Sequence, residues 1–280
     1  MSLSFGLFGS DAVAISAPLL LQSLIAFGAY MAVAVLSGRP GSRVRVPLLI
    51  GWVAHGVDIV MDAAGVGMGT TGARFGFAPA LSVTLWLVIG VYMLESRFLP
   101  MSGVRRTLAV LGAAAVLLAA LFPGEARPHL SSVWIPLHWV LGIASYGLFG
   151  AAVLHAAMLN RADQQMRGLR VGKAGAPNSG MPLMRLERLT FQFVLAGFVV
   201  LSVALLLGAW FATPWRWDHK TVFSILGWCV FAALLAGRSA FGWRGPQATR
   251  WLYAGAGLLL LAYVGSRFVM EVVLHRAVLS

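Results

Sequence analysis

Charge and cysteine are both scarce in this 280-residue chain: charged side chains make up 11% of it and cysteine occurs once. With so few charges against 59% hydrophobic residues, a chain of this length does not fold as a water-soluble globule, and its solvent is lipid. The lone Cys229 lies inside an apolar run, which excludes a disulfide framework, a CxxC redox pair and the CxxCH attachment site of a c-type cytochrome. Acidic residues number nine against twenty-one Lys and Arg. The resulting +12 charge forms no basic stripe interleaved with aromatics, so nucleic acid is not the implied partner. Basic residues are themselves missing before Arg39. The first apolar run therefore lacks the charged flank of a cleavable signal peptide and is read as a retained span. No Gly-Lys-Ser/Thr phosphate loop is present, so an energy-coupled step would need another protein.

What the chain does have is long apolar runs. A helical span needs about 20 mostly apolar residues, and such runs lie near 12–36, 46–64, 77–96, 105–122, 133–159, 187–211, 219–237 and 249–272. A β-barrel requires alternating strands, and the stretch from Leu108 to Leu121 does not alternate. The fold predicted is all-α: a polytopic bundle of eight transmembrane helices forming a single integral membrane domain over 1–280. The connection 160–186, with Gly168, Gly172, Gly175, Pro177, Asn178, Ser179 and Gly180, reads as a flexible linker.

Four connections carry fifteen of the twenty-one cations, among them Arg39, Arg97, Arg170 and Arg244. The positive-inside rule places these four in the cytoplasm and both termini on the outer side of the membrane. Topology accounts for these cations without an anionic ligand.

Polar residues are costly in lipid, so their depth is informative. His138, in Trp134-Ile135-Pro136-Leu137-His138-Trp139, falls at the outer end of the fifth span, and His275 at the outer end of the eighth. The loop between spans six and seven reads Thr213-Pro214-Trp215-Arg216-Trp217-Asp218-His219-Lys220. Imidazoles and indoles from three segments thus reach one membrane face. Such a set can hold a flat apolar macrocycle with a central iron: imidazoles ligate, indole faces cover the ring, and Arg216 or Lys220 pairs with carboxylate arms. Gly142, Ala144, Ser145 and Gly147 allow a ring or a helix to approach closely. The competing reading makes Trp134, Trp139, Trp215 and Trp217 an interfacial aromatic belt, and His129, His219 and His275 hydrogen-bonded interface residues. His55 lies mid-span with Asp58 and Asp62 at helical offsets, so it faces protein, water or a cofactor. His155 is about 25 Å along a helix from His138 and cannot share an iron with it; it reads as a cytoplasmic-side packing or capping residue.

The run Trp215-Arg216-Trp217-Asp218-His219-Lys220 with Trp228, Phe231, Arg238 and Gly242-Trp243-Arg244-Gly245 resembles the tryptophan-rich region of cytochrome c assembly proteins of the CcsA/CcmC type. Tyr263-Val264-Gly265, the late His275, and Ser132-Val133-Trp134-Ile135-Pro136-Leu137-His138 followed by Ser145-Tyr146 extend the likeness over most of the chain. Pro182-Leu183-Met184-Arg185-Leu186-Glu187-Arg188 and the eight-helix length are most similar to the HemX/YpjD-like branch. The resemblance implies haem b held at an outer tryptophan-rich site. His138 and His275 would be its flanking ligands, Trp215, Trp217 and Asp218 the motif, and His55 a transmembrane ligand. It departs from the family in a shortened tryptophan motif and in Ala236-Gly237, where a second transmembrane histidine is expected before Arg238.

Three functions follow as candidates. The first is a haem-binding protein of cytochrome c biogenesis type, handing haem toward an apocytochrome with other biogenesis components and performing no turnover itself. The second is an accessory or regulatory subunit, acting in haem-synthesis regulation or beside a metal-ion transporter subunit without stable haem. The third is a small-solute transporter with His55 and Asp58 along its path.

Overall fold

In the absence of water every backbone N–H and C=O must be paired within the protein, and a helix achieves this within one segment. Eight long helices result: α1 (Ala17–Leu36), α2 (Arg45–Ala63), α3 (Phe77–Glu95), α4 (Ser102–Leu121), α5 (Trp134–Arg170), α6 (Leu183–Phe211), α7 (His219–Phe241) and α8 (Gly245–Leu260). The structure, a computed structural model, describes residues 17–37, 44–64, 73–97, 102–127, 134–170, 183–211 and 217–274. Beyond α8 the helix continues through wider π turns at Leu261–Gly265 and Val269–Val273, on either side of a short α turn at Ser266–Phe268. Among the described residues these eight, the last taken on through Val273, are long and apolar enough to cross a membrane. A two-stranded antiparallel ribbon, β1 (Ala73–Phe75) and β2 (Glu125–Arg127), joins two of the connections, an addition the helical reading did not contain.

The expected spans coincide with these helices to within a few residues, except at the 160–186 connection. There α5 runs on to Arg170 and α6 already begins at Leu183. Asp163-Gln164-Gln165-Met166-Arg167 is unbroken by glycine or proline and carries good helix formers, so the helix continues until the glycines accumulate. The intervening residues of the predicted linker lie outside the described ones.

The side-chain arrangement is inverted relative to a soluble protein. Leu24, Val60, Leu195, Val199 and Leu206 are exposed, whereas His55, Ser82, Ser145, His155, Thr190 and Thr249 are buried. Hydroxyls within the helices bond the carbonyl one turn back, as in Thr84 to Ala80, Thr190 to Leu186 and Ser202 to Phe198.

Two compact units are formed. One holds α1, α2, most of α3 and nearly all of α4. In it the Trp52 and Trp86 indoles stack at 4.7 Å, and each N–H donates to the other's backbone carbonyl. The other unit holds the last turns of α3 with α5, α6, α7 and α8. Its centre is the Phe149–Phe231 stack at 3.8 Å, and a Cβ at Gly255 would strike the Phe231 ring at 2.8 Å, so α7 and α8 approach on glycine.

Candidate functional site

His138 sits on the second turn of α5, after Pro136, whose missing N–H is tolerated in the first turn of a helix. The imidazole is half-buried against α6. Its Nδ1 lies 2.8 Å from the carbonyl of Ala204, which can only accept, so Nδ1 carries the proton and donates it. In the neutral ring Nε2 then keeps its lone pair, the tautomer an Nε2 metal ligand needs. Gly208, one turn further along α6, makes the seat: a Cβ there would come within 2.7 Å of His138 Cε1. On α5 itself, one turn beyond His138, a Cβ at Gly142 would meet nothing within 4 Å.

Because α6 ends where α5 starts and only residues 212–218 separate α6 from α7, the start of α7 belongs to the same end of this unit. Trp217 is 72% exposed there. Asp218 caps α7, its Oδ1 accepting from the Thr221 N–H at 2.7 Å. The sequence reading gave this carboxylate to a ligand motif; its visible task is to satisfy an orphan helix donor. Lys220 follows at the start of α7. Its Nζ lies 5.7 Å from the centre of the Tyr263 ring, and Arg267 Cζ lies 5.9 Å from the same centre. Tyr146, two turns beyond His138, donates its hydroxyl to the Leu259 carbonyl, just before the helix widens. Neither Tyr263 nor Arg267 was singled out from the sequence as a contact, because no local pattern joins residue 220 to 267. Trp215, Arg216, His129 and His275 lie outside the described residues.

His55 occupies the other unit, fully buried, and both its nitrogens are engaged: Nδ1 stands 3.2 Å from the Tyr30 hydroxyl and Nε2 2.7 Å from Ser82 Oγ. As it stands the ring has no nitrogen to offer an iron; it ties α1, α2 and α3 together. Asp58, one turn on, stands near Ser23 of α1. His155 is also buried. Its Nδ1 donates to Ala151, its Nε2 lies 2.8 Å from a Glu95 carboxylate oxygen, and its ring stacks on Phe193. His155 thus lies against a carboxylate as well as in the packed interior. At Gly237, where the resemblance expects a histidine nearby, the Trp243 ring would lie 2.4 Å from an added Cβ, so the indole fills that place. Among the described residues no three His, Cys, Asp or Glu side chains gather around a point that could hold a bare metal ion.

Fold and site together define a polytopic α-helical membrane protein with an imidazole of fixed tautomer between two helices at one end of the bundle. The chain belongs to the cytochrome c assembly protein family, whose pattern matches residues 48–274. It is 34% identical over 161 residues to the inner membrane protein YpjD of Escherichia coli strain K12, covering 56% of this chain and 60% of that one. To the cytochrome c biogenesis protein CcsA of Prochlorococcus marinus strain MIT 9515 it is 29% identical over 164 residues, covering 51% and 53%. A second CcsA, from Prochlorococcus marinus strain SARG, is 23% identical over 223 residues, covering 68% and 71%. The chain spans little more than half the length of the first two relatives. No solved structure matches.

Proposed function

We propose that this chain is a haem-handling protein of the bacterial inner membrane, in the class that serves cytochrome c biogenesis, which binds and presents haem at the His138 end of its second unit. The carrying observation is the His138 imidazole itself: Nδ1–H is committed to the Ala204 carbonyl, Gly208 gives the ring a flat backing, and the position of a Gly142 Cβ is open. That arrangement fits haem, whose iron supplies an axial position for one nitrogen; a bare cation would need further ligands. Trp217, and Trp215 and His275 from outside the described residues, are the proposed ring contacts and second ligand. His55 is not needed for this site, and its closed hydrogen bonds favour a structural role. The reading makes the chain a binding and presenting device without turnover, whose partners are lipid and the biogenesis components or apocytochrome that take haem onward.

The orientation proposed follows the four Arg-rich connections, which face the cytoplasm, so both termini and the His138 end face outward. Labelling of a Trp217→Cys variant in a Cys229→Ser background with a membrane-impermeant thiol reagent on intact spheroplasts tests it. Labelling only after lysis refutes the orientation.

The test of function is the absorbance spectrum of the detergent-purified protein before and after reduction and after adding hemin. A Soret band that is displaced or lost in His138→Ala supports the site. Protein that stays colourless and takes up no hemin leaves the accessory-subunit function.

A further inference from the structure

Orientation requires only that arginines gather on one side of the membrane; it does not require two of them to converge on one carboxylate. At the end of the second unit where α6 begins, Arg238 of α7 donates from Nη1 to Glu187 Oε1 at 3.3 Å, and Arg244, which precedes α8, holds Nε 3.6 Å from the same oxygen. We infer that Arg238 and Arg244 form a headgroup site for an anionic phospholipid, with Glu187 as the internal carboxylate that competes with the lipid phosphate. The inference stands apart from the haem reading, and either can fail alone.

Three observations carry it. First, the charge does not balance. One carboxylate faces two guanidiniums, so the cluster keeps a net positive charge, and both contacts are longer than the about 2.7–2.9 Å of a full charge-assisted bond. A guanidinium presents several N–H donors in a planar fork, and one carboxylate cannot fill two such forks.

Second, the depth is that of lipid headgroups. Phe241, Trp243 and Trp251 stack in series beside the cluster, at 6.4 and 5.4 Å between ring centres, and Phe241 is 78% exposed. Aromatic rings collect where headgroups meet hydrocarbon, so Arg244, next to Trp243 and 66% exposed, stands at the level of the phosphates. From this level α6 runs into the bilayer with Leu195, Val199 and Leu206 exposed, an apolar row along which acyl chains can lie.

Third, the two guanidiniums are held in place by the turn between α7 and α8. Gly242, at φ 65°, ends α7 and lets the chain reverse within three residues, and Gly237 leaves room for the Trp243 ring to fold back onto α7. Arg244 is extended at the N-cap of α8 and makes no capping bond with its side chain. Arg238 lies over the Phe191 ring, 3.4 Å from its centre, a contact that holds the guanidinium without using its N–H groups.

An anionic phosphodiester carrying acyl chains meets all three conditions. Its oxygens accept from the guanidinium forks, its charge offsets the surplus, and its chains continue along α6. A zwitterionic lipid brings an ammonium that the cluster repels.

The experiment titrates dioleoyl phosphatidylglycerol and dioleoyl phosphatidylcholine, identical in their chains, into the full-length detergent-purified protein and reads bound lipid by native mass spectrometry. Wild type is expected to favour phosphatidylglycerol by at least about fivefold, the factor that one surplus cation contributes at an anionic membrane surface. Arg244→Gln should remove roughly fivefold of that preference and leave phosphatidylcholine binding unchanged. Arg106→Gln, an exposed cation of α4, should leave both unchanged. Glu187→Gln should tighten phosphatidylglycerol binding by roughly fivefold, because the internal competitor is gone, whereas a merely structural ion pair gives no gain. Equal wild-type affinity for the two lipids overturns the site. So does an equal loss of preference in Arg106→Gln, which marks a general surface potential, and so does a Glu187→Gln protein with an intact melt that gains nothing. Displacement of phosphatidylglycerol by millimolar inorganic phosphate marks a free-anion site and overturns the lipid assignment.

Discussion

Gly208→Ala is a substitution that separates the seat of His138 from the stability of the bundle. An added Cβ would lie 2.7 Å from His138 Cε1 and 3.2 Å from Nδ1, whereas ordinary contact starts at 3.4 Å. The ring must therefore withdraw by about 0.7 Å, enough to stretch or break its hydrogen bond of 2.8 Å to the Ala204 carbonyl. Loss of that bond costs roughly 1 kcal/mol net. Replacing a glycine in the last turn of α6 by alanine returns up to ~1 kcal/mol through helix propensity. Thermal stability should hence stay nearly unchanged. Hemin affinity should not, because a metal-binding histidine that loses its orienting partner typically loses ~10–100-fold. The assay is hemin titration by Soret absorbance, run beside a thermal melt of the same detergent preparation. A Gly208→Ala protein that binds hemin with wild-type affinity and an unmoved band would refute the claim that the Ala204 bond and the glycine seat set the imidazole.

Three further outcomes are expected. Asp218→Ala should cost about 1 kcal/mol as a lost helix cap, with Asp218→Asn or Asp218→Ser restoring stability; failure of Asn or Ser to restore the melting temperature means the carboxylate is required for more than the cap. Tyr30→Phe should destabilise the first unit by ~1–3 kcal/mol, since His55 Nδ1 would be left buried without its hydroxyl. Thermal unfolding checks this, and unchanged hemin uptake in a His55→Ala variant would show that His55 is not a haem ligand. Glu95→Ala removes the partner of a histidine with no exposed surface and should cost on the order of 3 kcal/mol. A melt shifted by less than the error between preparations would show that the pair contributes nothing.

The bundle was legible because a membrane span is a statement about composition over one contiguous segment. Leu108 to Leu121 needs no distant partner to be read as a helix, and the expected and observed spans differ mainly where α5 continues to Arg170 on helix-forming residues within a connection whose glycine-rich composition reads as a linker. The place of His138 near a helix end was legible as well, from where the fifth apolar run begins. Hidden from the sequence were relations between segments. Nothing in the chain near residue 138 indicates that the carbonyl of Ala204, sixty-six residues away, fixes the tautomer, or that Gly208 backs the ring. The resemblance alone places Asp218 in a ligand motif, and only the structure shows its Oδ1 accepting from the Thr221 N–H.

His55 illustrates the same division. Its depth in α2 established that it must face something polar, since lipid offers no hydrogen bonds. Whether that something was an iron or a pair of hydroxyls depended on where α1 and α3 lay, and the structure set Tyr30 and Ser82 on its two nitrogens. Sequence by itself determined that the chain spans a membrane eight times, because burial in lipid is paid residue by residue along one helix. Tertiary structure alone decided what the ring nitrogens of His55 and His138 meet, because a hydrogen-bond partner is supplied by whichever helix packs alongside.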